Sequence, residues 1–164
     1  MKNGALVVID LQNDITKNYR EIIGQVNAAI DRAVQKGMHV VYIRHNNLSD
    51  GTRTFKPGTH GEEFVSELKI ASDNVFTKSK SNALTSDGFA AFVGENGVNE
   101  FYIVGADAAV CIKSTCFNMA KVGYTVHVLS DCITSYDKKK LPELLAYYKS
   151  KGCSVATLDE SLNN

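Results

Sequence analysis

Cysteine occurs at positions 111, 116, 132 and 153, and one of the four stands where a thiol can act as a nucleophile. Cys111 follows the apolar run Phe101-Tyr102-Ile103-Val104, which Gly105 stops, and it opens a helical-looking stretch that runs to Lys121. A thiol at a strand-to-helix junction meets helix N–H groups and the positive end of the macrodipole, and both favour the thiolate. Attack on a carbonyl also needs a proton acceptor and N–H donors for the developing oxyanion. Asp10, directly after Ala5-Leu6-Val7-Val8-Ile9, is a candidate acceptor. Lys78, after Val75-Phe76-Thr77, is a candidate cation to hold that carboxylate and favour the anions. Backbone N–H groups of the turn from Gly105 to Val110 are candidate oxyanion donors.

Each residue also has a plainer reading. Asp10 alone reads equally well as a helix cap or a solvated strand-end acid. Lys78 alone, in Lys78-Ser79-Lys80, reads as a surface lysine, and a lone cysteine is most often a small core residue. The catalytic reading rests on the three falling together.

What brings them together is the order of elements. Ala5–Ile9 is a near-continuous branched apolar run, as in a parallel strand buried on both faces. Tyr19 to Lys36 has apolar residues at helical spacing and Gly37 as its stop. His39–Ile43 is a second strand, and Arg44 to Gly61 is a long polar segment of the kind that carries function. A short helix is expected over Glu62–Ile70, a strand over Asn74–Thr77, and a helix over Asp87–Gly94 capped by Thr85 or Ser86. Strands over Glu100–Val104 and Tyr124–Leu129, a helix over Lys140–Lys151 with Pro142 in its first turn, and a last strand over Cys153–Leu158 complete the pattern. Alternation of this kind predicts a three-layer α/β/α fold: a doubly wound, six-stranded parallel sheet in the order 3-2-1-4-5-6. Ligands of such sheets bind beyond the carboxyl ends of the strands. Those ends carry Asp10, Arg44 and His45, Lys78, the Gly105–Cys111 turn and Asp131.

With 164 residues, the chain is expected to form one domain over 1–164. Eighteen acidic residues balance eighteen basic ones, so nothing points to nucleic acid or another polyanion. No apolar run is long enough to span a bilayer, and Met1-Lys2-Asn3-Gly4 leads into a strand without a signal-peptide pattern. The expectation is a cytoplasmic protein with no membrane partner. Its cysteines are then reduced, and the three other than Cys111 are core residues.

Three segments resemble the isochorismatase-like cysteine hydrolases. Ala5–Asp14 is similar to that family's opening "ALLVIDxQNDF" stretch, and Val75–Lys78 with Asn82-Ala83-Leu84 to its lysine segment. Ile103–Ala120 with Gly123-Tyr124 resembles "GxxTxxCVxxTAxxAxxxGY", and Pro57-Gly58-Thr59 its "PGT" turn. Order and spacing agree over nearly the whole chain. The resemblance implies a triad of Cys111, Asp10 and Lys78. It also implies a cis peptide at Ala106–Asp107 that turns a backbone N–H toward the oxyanion, with the Cys111 N–H as second donor. Ala108 stands where the family usually has Thr, and Leu84 replaces Phe; with Gln12 and His45, Ala108 is a candidate for substrate binding.

Nicotinamidases of this kind carry an Asp-x-His…His zinc site after the second strand. Here the position reads Ile43-Arg44-His45, without the leading carboxylate, so no metal and no cofactor are expected. The leading functional reading is hydrolysis of a small-molecule C–N amide-type bond through a thioester on Cys111. The alternatives are isochorismatase-type vinyl-ether hydrolysis, a nicotinamidase, and a non-catalytic nucleotide-binding module. The last would need a glycine-rich phosphate loop, and Asp10–Asp14 has no glycine. By the same resemblance, a homodimer or homotetramer is expected.

Overall fold

Strand β1 (Gly4–Ile9) is buried along its whole length. It is the centre of the computed structural model, which describes residues 3–49 and 54–163. Met1, Lys2 and Gly51 of the segments discussed above lie outside the described residues. Around β1 assemble β2 (His39–His45), β3 (Val75–Lys78), β4 (Glu100–Gly105), β5 (Thr125–Ile133) and β6 (Ser154–Ala156). The pairings are all parallel, and the order is β3-β2-β1-β4-β5-β6, as expected from the sequence.

Alternation along β1 separates two cores. After the single-turn α1 (Asn13–Thr16) comes α2 (Ile23–Gln35); Leu6 and Val8 face α2, where Val26, Ala29, Ile30 and Ala33 are buried, and α6 (Leu158–Ser161). Ala5, Val7 and Ile9 face α3 (Asp87–Asn96), α4 (Cys111–Val122) and α5 (Leu141–Ser150), through Phe89, Ile112, Met119 and Tyr148 among others. Each fully buried aliphatic side chain contributes about 1.5–3 kcal/mol. Ser86 caps α3 by accepting from Phe89 N, and Pro142 sits in the first turn of α5.

Several elements depart from the sequence reading. No helix forms over Glu62–Ile70; a 3-10 turn at His60–Glu62 ends there instead. The reason is competition for backbone hydrogen bonds. Asn13 N donates to Glu63 O and Val65 N to Leu11 O, and Phe64 bridges Gln12, so the segment is tied to the end of β1 rather than to itself. The expected helix from Tyr19 begins later: Tyr19 precedes a 3-10 turn (Arg20–Ile22), and α2 starts at Ile23. The last strand is also shorter than expected, because Thr157 forms a capping box with Glu160 and starts α6.

Candidate functional site

Asp10 follows β1 in a left-handed backbone conformation, φ 54°, with its N–H donating to Ile43 O. Register then matters. Lys78 ends β3 directly beside His45 at the end of β2, so two side chains from neighbouring strands start level. Lys78 has no exposed side-chain surface, and its ammonium makes three contacts: Asp10 Oδ2 at 3.1 Å, His45 Nδ1 at 2.9 Å and Cys111 Sγ at 3.2 Å. An ammonium has three N–H donors, so this one is fully used. His45 therefore accepts at Nδ1 and donates from Nε2 to Asn47 Oδ1, 2.9 Å away. Burial first, and then the Lys78 charge, push its pKa below the ordinary 6.5.

The other side of the site comes from β4. Gly105 has φ 116°, and a Cβ there would overlap the Ile9 carbonyl, so only glycine lets β4 run this close to β1 before turning. The turn that follows contains a cis peptide at Ala106–Asp107. Its amides have different fates. Ala106 N donates to Ile9 O (3.0 Å) and Ala108 N to Thr134 O (2.9 Å). Among the described residues, the N–H groups of Asp107 and Cys111 have no acceptor. Val110 gives α4 no side-chain cap, so Cys111 opens the helix with its amide free.

Cys111, Asp10, His45 and Asp107 line a cavity of about 250 Å³. Asp10 Oδ1 is buried and has no hydrogen-bond partner. The thiol does not ionise easily. Burial pushes it from the ordinary 9.0 up to about 12; Asp10 adds to the rise and Lys78 opposes it. The helix start alone had suggested the opposite. Desolvation outweighs it in this pocket.

Of the candidate residues, Asp10, Lys78, Cys111 and His45 meet in one cluster. Four others do different work. The Ala106 amide is committed to the sheet and is not free to hold an oxyanion. Gln12 is fully buried; its Nε2 donates to His45 O and Glu62 O, and its Oε1 accepts from His45 N, so it positions the end of β2 rather than meeting a ligand. Ala108 is fully buried, and its carbonyl accepts from Tyr148. Asp131 lies inside β5 and accepts from Gln25 and Leu158 N, away from the cavity.

The cavity also has walls that the sequence reading did not single out: Ile15, Tyr19, Asn47, Phe55 and Ser81. Asn47 and Phe55, both from the long segment after β2, line the site of their own chain, and Asn47 N donates to Phe55 O. The length of that segment was the available signal. Ser81 is placed by α4, since Thr115 Oγ1 donates to Ser81 O and accepts from Ala83 N. Tyr19 carried no signal, because it read as the start of a helix.

Donor atoms of Asp10, His45 and Cys111 lie within 4.8 Å of one another, the spacing of a metal site. The Lys78 ammonium already contacts all three residues, and a cation at the centre of the group opposes a second one. Ile43, fully buried, takes the place where a leading carboxylate would stand, and His60 is an exposed side chain facing Glu63. The residues present do not fit a zinc ion.

A doubly wound sheet with a cysteine, an aspartate and a lysine gathered beyond its strand ends defines the class: the fold is that of the cysteine hydrolases related to isochorismatase. The chain belongs to the isochorismatase family, since residues 4–160 match the isochorismatase domain. It is 26% identical to a "probable inactive nicotinamidase" of Arabidopsis thaliana, over 97% of this chain and 94% of that protein. Two solved structures share the fold. One is N-carbamoylsarcosine amidase from Thermoplasma acidophilum (TM-score 0.83, 22% identity, 97% of this chain and 98% of that one). The other is a cysteine hydrolase from Pseudomonas syringae (TM-score 0.86, 18% identity, 98% and 91%).

Proposed function

We propose that this protein is a hydrolase that cleaves a C–N amide-type bond of a small molecule through a thioester on Cys111. The observation that carries the proposal is the unpartnered, buried Asp10 Oδ1 in the same cluster as a protonated thiol. A buried carboxylate oxygen without a donor is a costly arrangement, and a proton to accept gives it a purpose.

In this reading, Asp10 takes the Sγ proton as the sulfur attacks the substrate carbonyl. The N–H groups of Asp107 and Cys111 receive the oxyanion. The C–N bond then breaks, and Asp10 returns the proton to the leaving nitrogen, which departs as ammonia or an amine. Water, deprotonated by Asp10, cleaves the thioester and restores the thiol. Paired to Asp10 and touching Sγ, Lys78 favours the carboxylate before attack and the sulfur anion during it.

Vinyl-ether hydrolysis would use Asp10 as an acid toward carbon. Its ion pair with Lys78 favours the proton-accepting role instead. The test is a panel of small primary amides, ureas and isochorismate, quenched in acid and analysed by intact mass. The expected result is an acyl increment mapped to Cys111 with an amide or urea. Turnover of isochorismate alone, with no increment, would refute the proposal.

A further inference from the structure

Tyr19 and Asp107 form a pair on the cavity wall that the reaction scheme leaves without a task. The Tyr19 hydroxyl donates to Asp107 Oδ2 at 2.9 Å. The same carboxylate accepts from Tyr136 N (2.8 Å) at Oδ2, and from Ser135 Oγ (2.7 Å) and Ala109 N (2.8 Å) at Oδ1. Four donors on one carboxylate fix it in place, and an ionised carboxylate can only accept. The phenolic proton therefore points at Asp107, and the lone pairs of the Tyr19 oxygen remain. Tyr19 is 5% exposed, and both residues line the cavity that holds the Cys111 sulfur. Its pKa is raised, by burial first and then by Asp107, so the phenol stays protonated and keeps this orientation.

The charges around the cavity point the same way. Asp10 and Asp107 contribute two carboxylates. Against them stands one ammonium, Lys78, with all three donors used. His45 is neutral at neutral pH, because its pKa is lowered. No other lysine or arginine among the described residues lines the cavity. A carboxylate on the substrate would enter a partly desolvated site where, among the described residues, two carboxylates face one fully used ammonium and no further lysine or arginine lines the wall.

We propose that Tyr19, oriented by Asp107, accepts a hydrogen bond from a substrate N–H, and that the pair selects uncharged or cationic amides and ureas over those carrying a carboxylate next to the reacting carbonyl. Asp107 is then a positioning residue through its side chain, while its backbone N–H belongs to the reaction. This rests on Cys111 being the group that meets the substrate.

Iodoacetamide and iodoacetate make a matched pair of probes. Each loses iodide to a thiol; one presents an amide N–H and the other a carboxylate. Alkylation rates at Cys111 are followed by peptide mass, and the ratio of the two reagents is compared with that for 2-mercaptoethanol in the same buffer. At Cys111 the preference for iodoacetamide should exceed that of the free thiol by about tenfold or more. Tyr19→Phe and Asp107→Asn should each bring it at least about threefold back toward the free-thiol value. A general loosening of the fold changes both rates together and leaves the ratio alone, and circular dichroism checks that the variants are folded. If Asp107→Asn does not fold, Tyr19→Phe decides. A free-thiol ratio in the unaltered protein overturns the proposal. So does a ratio that Tyr19→Phe leaves unchanged, or a Cys111 that iodoacetamide does not modify. Alkylation needs no turnover, so a high ratio without an acyl-enzyme removes the amidase reading and leaves this one standing. An acyl-enzyme with a free-thiol ratio does the reverse.

Discussion

At Cys111 two effects compete. The uncapped start of α4 favours a thiolate by about 0.3–1 kcal/mol, or about 2 kcal/mol in a partly buried setting. Burial and the neighbouring Asp10 act against it and bring the thiol from 9.0 to about 12, a net disadvantage of about 4 kcal/mol for the anion. The proton is therefore on sulfur at neutral pH, and in the proposed reaction Asp10 takes it as the sulfur attacks. The sign for a pH experiment follows: a thiol with a raised pKa gains thiolate steadily as pH climbs. Alkylation of Cys111 by iodoacetamide should rise about tenfold per pH unit from pH 7 to 9.5 without levelling. A plateau near pH 7 would show a preformed thiolate instead. At this scale the sequence pointed to Cys111, Asp10 and Lys78 as neighbours, because each ends a strand or begins a helix, and their contacts are found. It could not announce their charge state, which depends on how much water the folded walls exclude. Nor could it place Tyr19, Gln12 or Ala108, whose side chains go where tertiary packing sends them: Tyr19 into the cavity wall, Gln12 into three backbone hydrogen bonds, Ala108 into the core.

Between elements, the site depends on how closely β4 approaches β1. Gly105 makes that approach possible, with its positive φ and its lack of a Cβ against Ile9 O. Gly105→Ala adds both a left-handed backbone penalty and a clash with main chain that has no freedom to move. It should lower unfolding free energy by about 3 kcal/mol in urea titrations, and shift the turn that carries the Asp107 and Cys111 amides. An unchanged urea midpoint would contradict this account of the junction. The glycine was legible as the stop of an apolar run, though the reason for it was not. The segment after β2 shows the same limit. Its length marked it as functional, yet its partners lie far upstream: Asp14 accepts from Phe55 N and Asn13 donates to His60 O, while Gln12, Asn13 and Leu11 bind residues 62–65 and dissolve the helix expected over Glu62–Ile70.

For the whole molecule, strand order and layers were legible because buried parallel strands and amphipathic helices alternate, and right-handed crossovers leave few ways to wind them. The two cores follow from that alternation, and three cysteines disappear into them: Cys116 and Cys132 are fully buried and Cys153 is 5% exposed. No helix among the described residues is long and apolar enough to cross a membrane. What the fold creates that no linear pattern contains is a lysine with three acceptors, one from each of three other strand ends or helix starts, beside an aspartate oxygen left open. The central claim is that this open oxygen serves a nucleophilic sulfur. It is tested most directly by turnover of the best amide or urea of the panel with Cys111→Ala, a variant that keeps Asp10, Lys78 and the free amides. In this variant kcat/KM should fall by about a thousandfold or more while the urea midpoint stays within the range of a small core change. Turnover by Cys111→Ala at the unaltered rate would contradict it.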